Sequence, residues 1–299
     1  MRVAITGASG LLGAALAERL TQDGAEVIRV RRGSQVGAPD LAWNPAAGVL
    51  PVEALEGLDA VVNLAGEPIA RRWTAARKQA IIDSRVQSTS LLARVLAQSR
   101  EPPRVLLSGS AIGIYGDRGD EELDEDSAPG SDFLATTAMA WEAAAQPARA
   151  AGIRVVSLRT GIVLGAAGGA LAKLLLPFKL GLGGRIGSGR QWMSWIGLTD
   201  WVAAVRWLLM RDDLEGPVNL VAPNPVPNTV FTRTLARVLG RPAFAHVPAW
   251  AIELSLGEMG RETLLASQRV HPRRLTSKSF DFGCPTLEQS LRAELGTEH

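Results

Sequence analysis

The chain has 299 residues, of which 46% are hydrophobic and 21% are charged. This balance is typical of a globular protein with a large core, and it excludes an intrinsically disordered chain. Thirty-two basic residues nearly match thirty acidic ones, which leaves a formal charge of +2, so we expect no nucleic-acid partner.

The remaining composition also excludes several kinds of site. The single cysteine, Cys284, cannot form an intrachain disulfide, and it makes no metal-binding pattern with the three histidines. We therefore expect no metal site and a cytoplasmic location.

The start, MRVAITGASG, lacks the apolar segment of a signal peptide. The most apolar later run, GGALAKLLLPFKLGLGG, is interrupted by a proline and two lysines, so we expect no membrane partner.

Short β-branched runs alternate with longer runs rich in Ala, Leu and Arg through the first half of the chain. The predicted strands are RVAIT, EVIRV, DAVVNLAG, RVLLSGSA and IRVVSLRTG, and helices are predicted after the first strand, around 74–99 and around 133–151. Continuously apolar strands are typical of a parallel sheet covered on both faces. We therefore predict an α/β fold with a doubly wound parallel sheet of the Rossmann type over residues 1–165. Later segments punctuated by Gly and Pro predict a smaller C-terminal substrate lobe over 166–299, apart from a strand returning to the sheet near 196–220.

A glycine-rich loop follows the first predicted strand. In AITGASGLLGAAL, the first glycine allows a tight turn, the second lets a diphosphate approach the backbone, and the third lets the helix pack against the strand. The backbone N–H groups at the helix start then bind the phosphates. The alternative is a glycine-rich turn without a ligand. We predict that the loop binds a dinucleotide through Gly7, Ser9, Gly10, Leu11 and Leu12, with Gly13 as the packing glycine.

The end of the second predicted strand is basic. An NAD site would have an acid there to hold the ribose hydroxyls, but EVIRV runs into Arg31, Arg32, Gly33 and Ser34. Two guanidinium groups suit a 2′-phosphate through charge-assisted hydrogen bonds. The alternative is a solvated basic turn. We therefore predict NADP(H) as the cofactor, held here by Arg31, Arg32 and Ser34.

Four later stretches resemble the extended short-chain dehydrogenase/reductase family, which contains sugar-nucleotide epimerases and dehydratases. They are LAG at 64–66, SGSAIGIYG at 108–116, RTGIVLG at 159–165 and WIGLTDWVAA at 195–204. The resemblance implies that Ser110 has the role of the family's catalytic Ser or Thr, although one extra residue separates it from the YG pair. It implies that Gly161 and Ile162 lie nearest the nicotinamide and that Asp200 organises the substrate lobe. The further cofactor-binding residues that it implies are Leu64, Ala65, Gly66, Ser108 and Arg159.

A closer resemblance is to one atypical branch of that group, usually called the epimerase family. It rests on NLAGEPI, RRWT, PFKLGLGGRIGSGRQWMSWI and VAPNPVPNTVF. Members of that branch carry a C-terminal region of unassigned function, which residues 245–295 match here. The branch brings no agreed substrate with it.

The family's Tyr-x-x-x-Lys pair is missing from this chain. Counting back from Glu142 places it at Leu134 and Ala138, neither of which can transfer a proton. Tyr115 is the chain's one tyrosine, and Gly119 follows it four residues later, so the pair cannot occur elsewhere. The lysine ordinarily lowers the tyrosine pKa and holds the nicotinamide ribose, so both effects are lost together.

Other side chains could supply the proton. We expect Tyr115 first, although a packing role is its alternative, and Ser110 next. Further candidates are Glu121, Glu122, Glu125, Gln191 and Ser194, although the acids could equally form a solvated loop. Trp141 is expected to be a core residue. Four arginines could hold an anionic substrate or pair with surface acids: Arg71, Arg72, Arg85 and Arg190.

Two functions follow from these features. The first is an NADP(H)-dependent oxidoreductase or epimerase-like enzyme that acts on a small polar or nucleotide-linked substrate. The second is a catalytically silent protein that binds NADP(H) and reports its state to a partner or through contacts in a homodimer. A purely structural module is disfavoured by the glycine loop and the two arginines.

Overall fold

The computed structural model describes residues 1–33 and 37–297. The strands are β1 (Arg2–Thr6), β2 (Glu26–Arg32), β3 (Leu41–Trp43), β4 (Ala60–Asn63), β5 (Val105–Ala111), β6 (Glu122–Leu123), β7 (Arg154–Thr160), β8 (Ile162–Gly165), β9 (Gly184–Ile186), β10 (Trp192–Met193), β11 (Trp195–Gly197), β12 (Gly216–Leu220), β13 (Val226–Pro227), β14 (Ala245–Val247) and β15 (Arg269–Val270). The helices are α1 (Leu11–Gln22), α2 (Ala75–Gln98), α3 (Phe133–Ala143), α4 (Gln146–Ala150), α5 (Gly169–Lys179), α6 (Leu198–Leu209), α7 (Asn228–Val238), α8 (Ala249–Leu256), α9 (Glu258–Gly260), α10 (Arg273–Ser277) and α11 (Leu287–Leu295).

A seven-stranded parallel sheet forms the centre of the molecule, in the order β12-β7-β5-β4-β1-β2-β3. From β1 the chain adds β2 and β3 on one side, and it then returns to add β4 and β5 on the other. The carboxyl ends of β1 and β4 therefore border the crevice where ligands bind in folds of this kind. This arrangement confirms the predicted doubly wound sheet.

The two faces of the sheet bury different residues because side chains alternate along a strand. Ile5 of β1 packs in a cluster with Leu16 of α1 and Trp201 of α6. Its neighbour Ala4 belongs to the opposite cluster, with Leu92 of α2. Helices thus cover both faces, as the continuously apolar strands predicted.

The helical elements match the predictions with one difference. α2 begins after Thr74, whose Oγ1 accepts a hydrogen bond from Arg77 N at 3.2 Å. The segment predicted as one helix around 133–151 is instead divided into α3 and α4. Pro147 explains the division, because it has no backbone N–H to donate to residue 143 and its ring crowds that carbonyl.

The C-terminal lobe is built mainly on β8, which pairs with β11, and on α5, α7 and α11. Phe231, Leu235 and Leu291 are buried in its core. A late strand, β15, pairs with β6 and so joins the C-terminal part of the chain to the loop after β5. None of the described helices is both long and apolar enough to cross a membrane.

Candidate functional site

The three loop glycines differ in what their surroundings require. Gly7 has φ of +66°, and a Cβ atom on it would lie 2.6 Å from Leu64 O. A Cβ on Gly13 would collide with the carbonyl group of Gly7. Gly10 is exposed, and a Cβ on it would meet only Gly7 O, at an ordinary 3.4 Å. The fold thus explains Gly7 and Gly13, whereas the space above Gly10 stays open.

Gly10 is also the N-cap of α1, and within the described residues no side chain caps that helix end. The first-turn N–H groups of the helix, at Leu11 and Leu12, are consequently available to an anion. The exposed Ser9 precedes them. Because the positive end of the helix dipole lies here as well, the loop suits a phosphate group.

The crevice wall opposite this loop is formed by the residues that follow β4. Thr6 Oγ1 donates to Asn63 Oδ1 at 2.7 Å and accepts hydrogen bonds from Leu64 N and Ala65 N, both at 3.1 Å. The ends of β1 and β4 are thereby tied together by one side chain. This bonding places Leu64 and Ala65, which Gly66 follows, beside the glycine loop.

The end of β2 carries two exposed arginines. Arg31 Nε lies 2.9 Å from Asp40 Oδ2, and Arg32 is also exposed. Asp40 was missed in the sequence because it stands eight residues past Arg32 rather than at the strand end. It neutralises part of the positive charge that the sequence suggested. Ser34, the third residue predicted to bind the 2′-phosphate, lies outside the described residues.

Helix α3 contains Leu134 and Ala138, where the resemblance would place the family's Tyr-x-x-x-Lys pair. A Cβ on Gly113 would lie 3.2 Å from Leu134 Cβ, so Leu134 packs closely against the turn after β5. Ala138 is buried in an apolar cluster with Ile112 and Val270. The face that would carry a tyrosine and a lysine is thus filled by aliphatic packing.

A buried polar network lies behind this helix. Ser110 Oγ donates to Glu142 Oε1 at 2.7 Å, and Arg159 Nε donates to the same oxygen at 2.8 Å. Arg159 Nη2 donates to Glu142 Oε2 at 3.1 Å, and Nη1 donates to the Tyr115 hydroxyl at 3.0 Å. Tyr115 in turn donates to Asn219 Oδ1 at 2.8 Å. Both hydroxyls and both carboxylate oxygens of this network therefore have hydrogen-bond partners.

Three residues predicted to act in the site, Ser110, Tyr115 and Arg159, belong to this buried network. Tyr115 is 0% exposed and Ser110 is 4% exposed, so neither hydroxyl presents itself to a substrate. Burial raises the pKa of Tyr115, against the opposing effect of Arg159, which makes the phenol a weaker acid. Arg159, predicted to bind the cofactor, is instead engaged by Glu142 in an ion pair. All three residues hold the strand ends together.

The other cofactor-binding residues predicted from the family lie within β5 and just after β7. Ser108 is 0% exposed, inside β5. A Cβ on Gly161 would lie 2.6 Å from Ser194 O, and Ile162 N donates to that carbonyl at 2.9 Å. Gly161 and the half-buried Ile162 therefore link β7 to the segment before β11, at the carboxyl edge of the sheet.

The remaining proton-donor candidates are committed to other contacts. Gln191 Nε2 donates to two backbone carbonyls, and Ser194 Oγ donates to Gln268 O at 2.7 Å. Glu121 and Glu122 form ion pairs with arginines. Glu125 is 5% exposed, and burial raises its pKa above the usual range. The interpretation of these acids as a purely solvated loop is therefore wrong for Glu125.

Arg85 of α2 stands out among the four arginines considered in the sequence. Its Nη1 donates to Glu67 O at 3.0 Å and to Ile81 O at 3.1 Å. The guanidinium carbon lies 5.0 Å from the centre of the Trp141 ring. A Cβ on Gly66 would lie 3.3 Å from the same carbon. The guanidinium thus lies between the end of β4 and helix α3.

Trp141 packs as the sequence suggested. It is 8% exposed, and its Nε1 donates to Thr89 Oγ1 at 2.9 Å. A Cβ on Gly109 would lie 2.6 Å from Trp141 Cζ2, so the indole fills space that only a glycine in β5 leaves open. The hydrogen bond and this packing hold the indole ring in place next to Arg85.

The C-terminal region joins the start of α3 and the loop before α2. Arg72 Nη1 donates to Leu254 O at 2.6 Å, and Lys78 pairs with Glu258. Glu262 Oε2 accepts a hydrogen bond from Leu134 N at 3.0 Å. A cleft of about 580 Å³ lies between these elements, and it reaches α3 at residues on the helix face away from Ala138: Phe133 and Thr136.

Asp200, which the resemblance assigns to organising the substrate lobe, is buried at the start of α6. Its carboxylate accepts hydrogen bonds from Gly283 N at 2.9 Å and from Cys284 N at 3.0 Å. It therefore holds the segment before α11. Arg71 and Arg190 are exposed.

Comparisons with known proteins agree with this fold. Residues 3–221 match the model of the NAD dependent epimerase/dehydratase family, and residues 247–294 match a domain of unknown function, DUF1731. The chain is 42% identical to epimerase family protein Mb2239 of Mycobacterium bovis, over 97% of this chain and 96% of that protein. It is 38% identical to epimerase family protein YfhF of Bacillus subtilis, over 97% of each.

A solved structure is similar along its whole length. The human epimerase family protein SDR39U1, crystallised with NADPH, superposes with a TM-score of 0.90 at 34% identity and covers 100% of both chains. Together with the match over residues 3–221, this similarity shows that the chain belongs to the NAD dependent epimerase/dehydratase family, as an atypical extended short-chain dehydrogenase/reductase.

Proposed function

We propose that this chain binds NADP(H) in the crevice between the glycine loop and Leu64–Gly66, and that it is an oxidoreductase or epimerase-like enzyme for a small polar or nucleotide-linked substrate. The observation that carries the proposal is the open space above Gly10, which the protein's own packing does not need. Arg31 and Arg32 at the end of β2 favour a 2′-phosphate. The NADPH in the similar human structure supports the same choice of cofactor.

Different residues along the carboxyl edge of the sheet would bind different parts of the cofactor. The start of α1 would hold the diphosphate through backbone N–H groups, because Gly10 lets it approach. Gly161 and Ile162, at the end of β7, would lie beside the nicotinamide. When bound, the cofactor supplies or accepts a hydride. The proton must then come from a group other than Leu134 or Ala138, and we propose solvent or the substrate itself.

A second candidate function is a catalytically silent NADP(H)-binding protein. One observation favours it: the hydroxyls of Ser110 and Tyr115 are both engaged inside the buried network. General acid–base assistance is worth about 10²–10⁴-fold in rate, so an enzyme without it would be slow.

One experiment distinguishes the two candidate functions. Purified protein is first assayed for bound NADPH by mass spectrometry and by fluorescence. The loaded protein is then mixed with aldehydes, ketones, quinones and sugar nucleotides. NADPH oxidation above the rate without protein supports the enzyme, whereas stable NADPH fluorescence with every compound supports the silent protein. A protein that binds no NADPH would contradict both.

A further inference from the structure

Arg85 carries a positive charge that the described protein does not neutralise. No carboxylate of the described residues lies within 4.0 Å of its guanidinium, and the nearby Glu67 pairs with Arg77 instead, at 3.5 Å. Burial lowers the pKa of Arg85 to about 10, while Glu67 acts in the opposite direction. The group therefore stays charged at neutral pH in a half-buried place, at a desolvation cost that a bound anion would offset.

Part of the guanidinium remains available to a ligand. Nη1 donates to two backbone carbonyls, of Glu67 and Ile81. Within the described chain, Nε and Nη2 donate no hydrogen bond, and both keep access to solvent. The guanidinium lies next to both the Trp141 ring and Gly66. A fixed planar fork with free donors suits the two oxygens of a carboxylate or phosphate.

The position of Arg85 separates it from the site for the cofactor diphosphate. That diphosphate is expected over the start of α1, which follows β1. Arg85 lies beyond β4 instead, next to Gly66, and it touches Trp141, which packs on Gly109 of β5. This is the side of the crevice toward β5 and β7, where the substrate meets the nicotinamide in the function proposed above.

We propose that Arg85 is the anion-binding residue of the substrate site and that the substrate carries a carboxylate or phosphate near its reacting carbon. The proposal rests on NADP(H) binding, which orients the crevice. The proposal limits the substrate to anionic compounds, such as oxo acids or sugar phosphates. It also implies that α2, which carries Arg85, takes part in substrate recognition.

The test uses malonate and inorganic phosphate as probes, titrated by calorimetry into the NADPH-saturated full-length protein. The variants are Arg85→Met and Arg85→Lys. Arg94→Met is the matched control, because Arg94 lies on the same helix and bonds only Ser90 Oγ among the described residues. NADPH affinity is measured for each protein beforehand, and circular dichroism checks folding.

We expect wild type and Arg94→Met to bind at least one probe equally well. Arg85→Met should weaken that binding by about tenfold or more, as expected for a lost charged hydrogen bond. Arg85→Lys should lie between them, because an ammonium keeps the charge but not the fork. NADPH affinity should stay within about twofold throughout, since the proposal gives Arg85 no contact to the cofactor.

Three results would overturn the inference: no binding of either probe to wild type, equal binding to wild type and Arg85→Met, or a tenfold loss of NADPH affinity in Arg85→Met, which would assign the guanidinium to the cofactor. If wild type binds no NADPH, the proposed function fails. The same titration on the cofactor-free protein then decides the role of Arg85 separately.

Discussion

The Tyr115 hydroxyl donates a hydrogen bond to Asn219 Oδ1 at 2.8 Å and so joins two residues 104 positions apart. Tyr115 follows β5, while Asn219 is in β12, at the edge of the central sheet. Arg159 of β7, the strand between them, donates to the same hydroxyl at 3.0 Å. The one phenol of the chain is thus the centre of a contact across three strands.

Removing this hydroxyl should affect stability rather than chemistry. In Tyr115→Phe, Asn219 and Arg159 each lose a buried partner, so we expect the free energy of unfolding to fall by about 1–3 kcal/mol. NADPH affinity and any turnover should be unchanged. Urea unfolding and fluorescence titration measure the two quantities. Thr136→Val, which removes an exposed hydroxyl, is the control and should change stability by less than about 0.5 kcal/mol. A large loss of turnover with stability intact would restore Tyr115 as the proton donor.

Substitutions of two loop glycines should have different effects, one on NADPH binding and the other on stability. Gly10 has an ordinary extended conformation and open surroundings, so Gly10→Val should fold normally and lose NADPH binding, because the side chain fills the place of the diphosphate. Gly13→Val should instead lose about 2 kcal/mol or more of stability, because its Cβ meets the Gly7 backbone. Thermal unfolding and calorimetric titration test both. Tight NADPH binding by Gly10→Val would mean that the loop is only a turn.

The basic end of β2 should determine the choice between NADPH and NADH. Arg31→Ala with Arg32→Ala should weaken NADPH binding by about tenfold or more per lost charged hydrogen bond and leave NADH binding unchanged. Asp40→Asn should act in the opposite direction, because it releases Arg31 from its ion pair. Titration calorimetry with both cofactors gives the ratio, and Arg19→Ala on the exposed side of α1 is the control. Equal affinities of the wild type for NADPH and NADH would contradict this prediction.

Glu125 should make stability depend on pH. Burial raises its folded pKa above the unfolded value, and its Oε2 has no hydrogen-bond partner within the described residues. Its contribution to stability is therefore fully present below the unfolded pKa and is lost as the pH rises through the folded one. Glu125→Gln should lose less stability than wild type between about pH 4 and pH 7. Urea unfolding across that pH range measures the stability of both proteins. Glu121→Gln, at an exposed position, is the control. Parallel curves for wild type and Glu125→Gln would show that Glu125 does not titrate differently on folding.

The sequence predicted the sheet and the glycine loop well because both depend on local patterns. Continuous apolar strands and the spacing of Gly7, Gly10 and Gly13 are visible in short windows. The polar network was not predictable, because Tyr115, Arg159 and Asn219 come from distant segments that only the parallel pairing brings together. The sequence could not show that Arg85 lacks an ion-pair partner for the same reason. Whether an acid lies close enough to pair with an arginine depends on three-dimensional contacts.

The packing of α3 disfavours the introduction of a Tyr-x-x-x-Lys pair on that helix. A lysine introduced at Ala138 would bury its ammonium group among Ile112, Leu123 and Val270. Leu134, the position for the tyrosine, packs closely against the turn at Gly113. The lysine substitution alone would therefore cost stability, because a buried ammonium group without a partner is unfavourable. A lysine at position 138 would be tolerated only together with changes in the residues packed against it.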